Sequence, residues 1–250
     1  QVGDYTLTAD NAVDTLLNQA YIDFPEPAAQ DAFFRLVAKT VFEKVASGEI
    51  GKPRELLRAL VRAGDEGWVA VHLTDDLEQE TIAARRVAGA TRDADGVAQG
   101  LDVLLQDATA SKMSYYLDYR TRASVTTCTE ETARVRVTTT LVSTPPDDPS
   151  SLPRYITGGA NTGTKPVDQL VQVRLLTPSD GRIRAFTIRG KKYGPRSLFL
   201  EDRQVSTAYL LLEPDQPAGF FEQVSHVPTV TAAQIKHHIR TLDARFLNGE

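Results

Sequence analysis

Six cations crowd one stretch of an otherwise acidic chain: Arg182, Arg184, Arg189, Lys191, Lys192 and Arg196, interleaved with Phe186 and Tyr193. Planar guanidinium forks suit phosphate and carboxylate groups, so this stretch is the candidate anionic-ligand site, for an anionic polymer or a lipid headgroup. The same residues have a structural use as well. On the solvated face of an edge strand, cations discourage sheet-to-sheet pairing. Both readings stand at the level of sequence.

Other chemistry-bearing residues lack the spacing that their chemistry needs. A zinc helix places two histidines one turn apart, whereas His237 and His238 are adjacent and point about 100° from one another on a helix. His72 and His226 are the only others. Cys128 is the single cysteine, which excludes an intrachain disulfide and a thiolate cluster, and it reads as a small hydrophobe buried in a strand. No G-x-S-x-G elbow occurs. Thr157-Gly-Gly-Ala-Asn-Thr-Gly-Thr164 is glycine-rich without the Walker spacing and reads as a flexible loop. Of the acidic pairs Asp75-Asp76, Glu130-Glu131 and Asp147-Asp148, the first reads as helix-opening acids, because adjacent carboxylates diverge rather than converge on one point. The expectation is therefore no metal, no cofactor and no assigned catalytic residue.

Charge and length bound the partners. A net charge of -5 over 250 residues argues against generalised nucleic-acid binding, which needs a cationic surplus, so any anion site must be local. No apolar run approaches the ~18 residues that span a bilayer. The chain begins at Gln1 rather than Met, which suits a processed or truncated piece with its targeting segment upstream.

The elements that must position these residues change character near Tyr115. Thr8 is a candidate cap for a helix bearing Val13, Leu16, Leu17, Ala20 and Tyr21 and stopped by Phe24-Pro25. A second helix after Pro27 carries Phe33, Phe34, Val37, Val41 and Val45 as far as Ser47-Gly48, and a third runs from Pro53 toward Gly64 with Leu56, Leu57, Leu60 and Val61; the three are expected to pack as one layer. Trp68 to Leu73 reads as a strand leading into a helix from Asp75 to about Val87, with Leu101 to Leu105 as its pairing partner. Beyond Tyr115 the period falls to two. Ala133, Val135, Val137 and Leu141 face one way and Arg134 and Arg136 the other; Val171, Val173 and Leu175 form another strand, followed by hairpin chemistry at Thr177 to Gly181, then Ile183 to Ile188 and Gln204 to Leu212. A slip in parity at Ala185-Phe186 suggests a bulge. After Pro228, Thr231 could open a terminal helix with Ile235, His238, Ile239, Leu242 and Phe246 on one stripe. The expected class is α+β: a mixed helix and strand region over 1–113, which could be the end of a larger domain, an antiparallel β-sandwich-like region over 114–230, and a helix or tail over 231–250.

Three passages together resemble the DUF4012 family of bacterial envelope proteins of uncharacterised function: Leu7-Thr-Ala-Asp-Asn-Ala-Val-Asp-Thr-Leu-Leu-Asn-Gln-Ala-Tyr21, Gln30-Asp-Ala-Phe-Phe34, and Gln106-Asp-Ala-Thr-Ala-Ser-Lys-Met-Ser-Tyr-Tyr-Leu117. The likeness covers most of residues 1 to about 230 and fits the C-terminal part of such proteins. It implies an upstream membrane anchor, an extracytoplasmic location in the cell envelope and an actinobacterial source, which 20 Arg against 8 Lys also suits. The first passage is also faintly similar to the end of the LytR-CpsA-Psr domain, whose members transfer glycopolymers from polyprenyl-pyrophosphate carriers and bind pyrophosphate through arginines after the equivalent Tyr and Phe positions. In this chain the first arginine after Tyr21 is Arg35. The leading expectation is a binding or structural module for cell-wall glycopolymer or another envelope protein. The alternative is a transferase acting on a polyprenyl lipid-linked substrate, with a deep apolar groove ending in clustered arginines.

Overall fold

The computed structural model describes residues 1–48, 51–83, 85–89, 101–158, 163–178, 181–194, 197–200, 203–214, 216 and 219–228. It is an α+β protein, with helices first and antiparallel strands after, as the change of period requires. Two compact units divide the chain: Gln1–Asp95 with Ser150–Ile156, and Gly96–Pro149 with Thr157–Glu250. The sequence division at 113/114 thus falls inside the second unit. The terminal helix expected after Thr231 lies outside the described residues, as do Arg196, His237 and His238.

The first unit opens with α1 (Ala12–Asp14) and α2 (Ala20–Asp23), joined by a π-helical turn at Thr15–Gln19. Each wide turn rotates the residues after it away from the 3.6-residue spacing. Ala20 is therefore buried with Val2, Phe33 and Val37, while Val13 and Leu17 of the expected stripe face solvent. Thr8 does not cap this helix through its side chain. Its N–H instead donates to Asn11 Oδ1 at 2.8 Å, and its carbonyl accepts from Ala12. α3 (Pro27–Ala46) starts on a proline, which pre-sets φ and has no N–H to orphan, and ends at Ser47 with Gly48 at φ 72°. Its first half packs through Phe33 and Val37 against Tyr5 and Phe24, whose rings lie 5.0 and 5.1 Å from Phe33. Buried Gln30 donates to the carbonyl of Phe24, which Pro25 leaves without a helical partner.

α4 (Pro53–Glu66) ends on Gly67 in the left-handed region, and α5 (Asp76–Ile82) is capped by Asp75, whose Oδ1 accepts from the N–H groups of Leu77 and Glu78 at 3.0 Å. The single packed layer expected of the three helices does not form. α4 buries only Gly64, against Val87, because the residues that pack in α3 lie in its N-terminal half and are consumed by the aromatic cluster. Trp68 to Leu73 is not a strand. Val71 N–H donates to the Val87 carbonyl and Leu73 N–H to Gln79 Oε1, so this run is tied to α5 and the turn Arg86–Ala88 rather than to a ladder.

The second unit is a two-sheet sandwich. One sheet has the order β1 (Asp102–Asp107), β4 (Gln169–Leu176), β8 (Arg203–Leu212), β7 (Ser197–Leu200). The other has β2 (Leu117–Cys128), β3 (Thr132–Ser143), β9 (Gly219–Pro228), β5 (Arg182–Ile188), β6 (Lys191–Tyr193). Every pairing is antiparallel, and a short helix α6 (Arg154–Thr157) lies between β3 and β4 in the chain. Ala133, Val135, Val137 and Leu141 are all buried, opposite Val171, Val173, Leu175, Ala208, Leu210 and Leu212 from the facing sheet. Arg134 and Arg136 are exposed on the other side of β3. At roughly 25 cal/mol per Å² of apolar surface, such inward stripes supply most of the driving force for the sandwich.

Two expectations about connections change. Leu101 to Leu105 pairs with β4, register Leu104 to Arg174, and not with Trp68 to Leu73. Thr177 to Gly181 is not a hairpin, because β4 and β5 belong to different sheets and the segment carries the chain across the sandwich. Gly181 N–H closes onto the Pro178 carbonyl at 2.9 Å, and Thr177 Oγ1 both donates to the Gly181 carbonyl and accepts from Gln204 N–H. Buried Gln204, in turn, accepts from Ile183 N–H through Oε1 at 2.6 Å, so one side chain on β8 satisfies a backbone group of the opposite sheet. The slip of parity in β5 is real. The register against β9 shifts between Ile183 and Ala185, making Arg184 the bulged residue.

Candidate functional site

β5 and β6 form a ribbon at one margin of the five-stranded sheet, joined by Arg189-Gly190. Ile188 pairs with Lys191, and the two loop residues have φ of 48° and 79°. Positive φ at both positions is the type I′ turn that matches strand twist, which usually takes Asn-Gly. Arg189 thus holds a conformation that costs an L-residue roughly 1–2 kcal/mol. Its guanidinium Nη2 donates to the Leu211 carbonyl of β8 at 2.7 Å, which braces the turn.

The other cations distribute around this tip. Arg182 donates Nη1 to the Gly181 carbonyl at 2.8 Å, and its guanidinium carbon stands 5.5 Å from the centre of the Phe199 ring. Arg184 is exposed at the bulge. Lys191 lies 5.7 Å from the Tyr193 ring centre, and that ring stacks on Phe186 at 5.5 Å with an interplanar angle of 11°. Lys192 is exposed across from Thr187. The ribbon therefore gathers Arg189, Lys191 and Lys192 within four residues of its tip, with Arg182 and Arg184 farther along β5. Its position at a sheet margin fits the structural use of such cations, and the exposed Tyr193 ring with its flanking charges fits contact with an anionic polymer, while Phe186 beneath it is buried in the core.

A cleft of about 310 Å³ opens between the sheets on the β1 and β2 side, lined by Val103, Leu105, Leu117, Tyr119 and Val171 together with Asp107 and Gln169. No arginine is among the described residues lining it. Gln169 donates from Nε2 to Ser143 Oγ at 2.6 Å. Asp107 organises the loop below: Oδ1 accepts from the N–H and hydroxyl of Thr109, Oδ2 from those of Ser111, and Ser111 Oγ accepts from Met113 N–H. Ala110 is held at φ 54° inside this bracket, and Gly158 approaches so closely that a Cβ there would meet Ser111 Cβ at 2.8 Å. This hub is not among the residues expected from the sequence. The signal was present as Asp-x-Thr-x-Ser directly after a strand, the pattern of side chains that bond their own backbone in turns.

The remaining candidates stay apart. Among the described residues no group of three or more His, Cys, Asp or Glu is arranged to hold a metal ion. His72, Glu130, Glu131, Asp147 and Asp148 are exposed. Cys128 is exposed rather than buried: it pairs with Ala133 on the last rung of β2, an edge strand that ends there, beside the Thr129 to Thr132 turn. Of the glycine-rich segment, Gly158 and Gly163 both have positive φ, and 159–162 lie outside the described residues. No helix among the described residues is long and apolar enough to cross a membrane. Comparison with protein-family models, with curated proteins and with solved structures finds no match for this chain.

Proposed function

We propose that this chain is a binding module of the bacterial cell envelope that holds an anionic wall glycopolymer on the β5–β6 ribbon, with the full-length protein extracytoplasmic and anchored upstream. The observation that carries the reading is the strained, braced Arg189 at a type I′ turn, with Lys191 and Lys192 directly after it. A non-glycine residue kept at φ 48° where glycine or asparagine would cost less is the kind of outlier that a surface retains for recognition. The exposed Tyr193 ring, backed by buried Phe186, adds a flat face of the sort that sugars and cations both accept. The DUF4012-like passages supply the envelope setting. A binding role is favoured over the transferase role because the cations lie on an exposed ribbon and not at the end of the apolar cleft.

The test is retention of the protein on purified anionic wall glycopolymer. Lys191→Gln with Lys192→Gln should weaken retention at least tenfold, while Arg189→Asn, which suits the turn, should keep the fold and lose only one charge. Unchanged retention in the double-lysine variant would overturn the assignment of the ribbon.

A further inference from the structure

α4 carries a second surface, unrelated to the ribbon. Leu57, Leu60 and Val61 recur at three and four residues, so they lie on one face of the helix, and they are 63, 49 and 57 % exposed. Trp68, just past the Gly67 cap, is 60 % exposed. Arg54, Arg58 and Arg62 are also exposed, and their four-residue spacing sets them in a row beside Val61 along one flank of the apolar strip. Of the acids on the helix, Glu55 pairs with Lys52 at 3.2 Å, Glu66 accepts from Trp68 Nε1 at 3.2 Å, and Asp65 enters the arginine row only in the last turn.

This pattern has a physical demand. A helix of 14 residues is marginal in water unless its apolar face is covered, and α4 buries only Gly64. A strip of leucines and valine flanked by arginines and ended by tryptophan is suited to the boundary of a bilayer. There the apolar side chains enter the acyl region, guanidinium groups meet anionic headgroups, and an indole sits at the interface. A protein partner would have to bring both a greasy groove and a matching line of acids; an anionic lipid surface brings both by its nature. We infer that α4 is an interfacial docking helix that lays Leu57, Leu60, Val61 and Trp68 into an anionic lipid surface, with Arg54, Arg58 and Arg62 against the headgroups.

Trp68 is the only tryptophan, so its fluorescence reports this site alone. The full chain is mixed with phosphatidylcholine vesicles with and without phosphatidylglycerol, and both the emission of Trp68 and co-sedimentation are read. With the anionic vesicles only, the emission should move to shorter wavelength and the protein should pellet. Replacing Arg54, Arg58 and Arg62 by Gln one at a time should weaken partitioning roughly fivefold each. Leu60→Gln should weaken it with the charges intact, whereas Lys191→Gln with Lys192→Gln should leave it unchanged, which separates this surface from the ribbon. Circular dichroism confirms that each variant is folded. The inference is overturned if anionic vesicles leave the emission unmoved, if pelleting persists unchanged in the arginine variants, or if the emission shifts with protein concentration in the absence of lipid, which would make the strip a contact between copies of the chain.

Discussion

Tyr5 donates its hydroxyl proton to Asp23 Oδ2 at 2.6 Å, and that hydrogen bond, then partial burial, then the charges of Asp23 and Asp4, push its pKa up to about 12. In an unfolded chain the phenol ionises near 10. The contact therefore contributes its full stability below pH ~10 and loses it as the pH climbs toward ~12, because only the neutral phenol can donate. Urea midpoints of the wild type should fall across that window more steeply than those of Tyr5→Phe, which lacks the bond at every pH; parallel alkaline losses would refute the role. Arg203 is the second residue with a defined cost. Its side chain is almost wholly enclosed, Nη2 meets Asp102 Oδ2 at 2.9 Å, and Nε donates to the Thr177 carbonyl at 2.7 Å. Asp102→Ala would strand a buried guanidinium and should cost about 3 kcal/mol, seen as a lower urea midpoint with an unchanged slope.

At the level of elements, the crossing from β4 to β5 leaves no room for a side chain at Gly181. A Cβ on Gly181 would meet the Pro178 carbonyl oxygen and Thr177 Cβ, each at 2.8 Å, and neither is the far end of a flexible side chain. Gly181→Ala should therefore cost about 1–3 kcal/mol, as overpacking does, with the loss appearing in chemical denaturation. A cost below a few tenths of a kcal/mol would mean that the crossing relaxes freely. The β5–β6 ribbon behaves differently. Its turn is strained at Arg189 but exposed, so Arg189→Asn or Arg189→Gly should keep or raise stability while removing a cation from the tip. That separation of stability from charge makes the ribbon a clean place to test binding.

The whole molecule is acidic, at -5, so an anionic polymer is repelled by its overall field and attracted only by local cation clusters. Retention on glycopolymer should accordingly fall as ionic strength rises and the Debye length shortens below ~10 Å. A retention that ignores salt would point to an uncharged ligand. Each unit has its own core, the aromatic and aliphatic cluster of Val2, Ala20, Phe33 and Val37 in the first, and the facing stripes of the two sheets in the second. The passages Leu7 to Tyr21, Gln30 to Phe34 and Gln106 to Leu117 fall on these cores and on the Asp107 hub: Ala20, Gln30 and Phe33 are buried, and Asp107, Thr109 and Ser111 bracket one loop. Their side chains have structural work to do.

The α+β class, the β period of Ala133 to Leu141 and Gln204 to Leu212, the Asp75 cap and the bulge in β5 were determined by the sequence alone, because each depends on neighbours within a few residues. Tertiary structure decided the rest. Which strands pair is set by loops that cross between sheets, so Thr177 to Gly181 carries hairpin chemistry yet makes a crossing. A π-turn shifts the face that α1 and α2 present, and Cys128 is exposed because the edge strand β2 ends there. The basic segment was legible as a run of charge. That it folds on a type I′ turn around Arg189, and that the stripe of α4 stays uncovered, depend on long-range packing that no local pattern encodes.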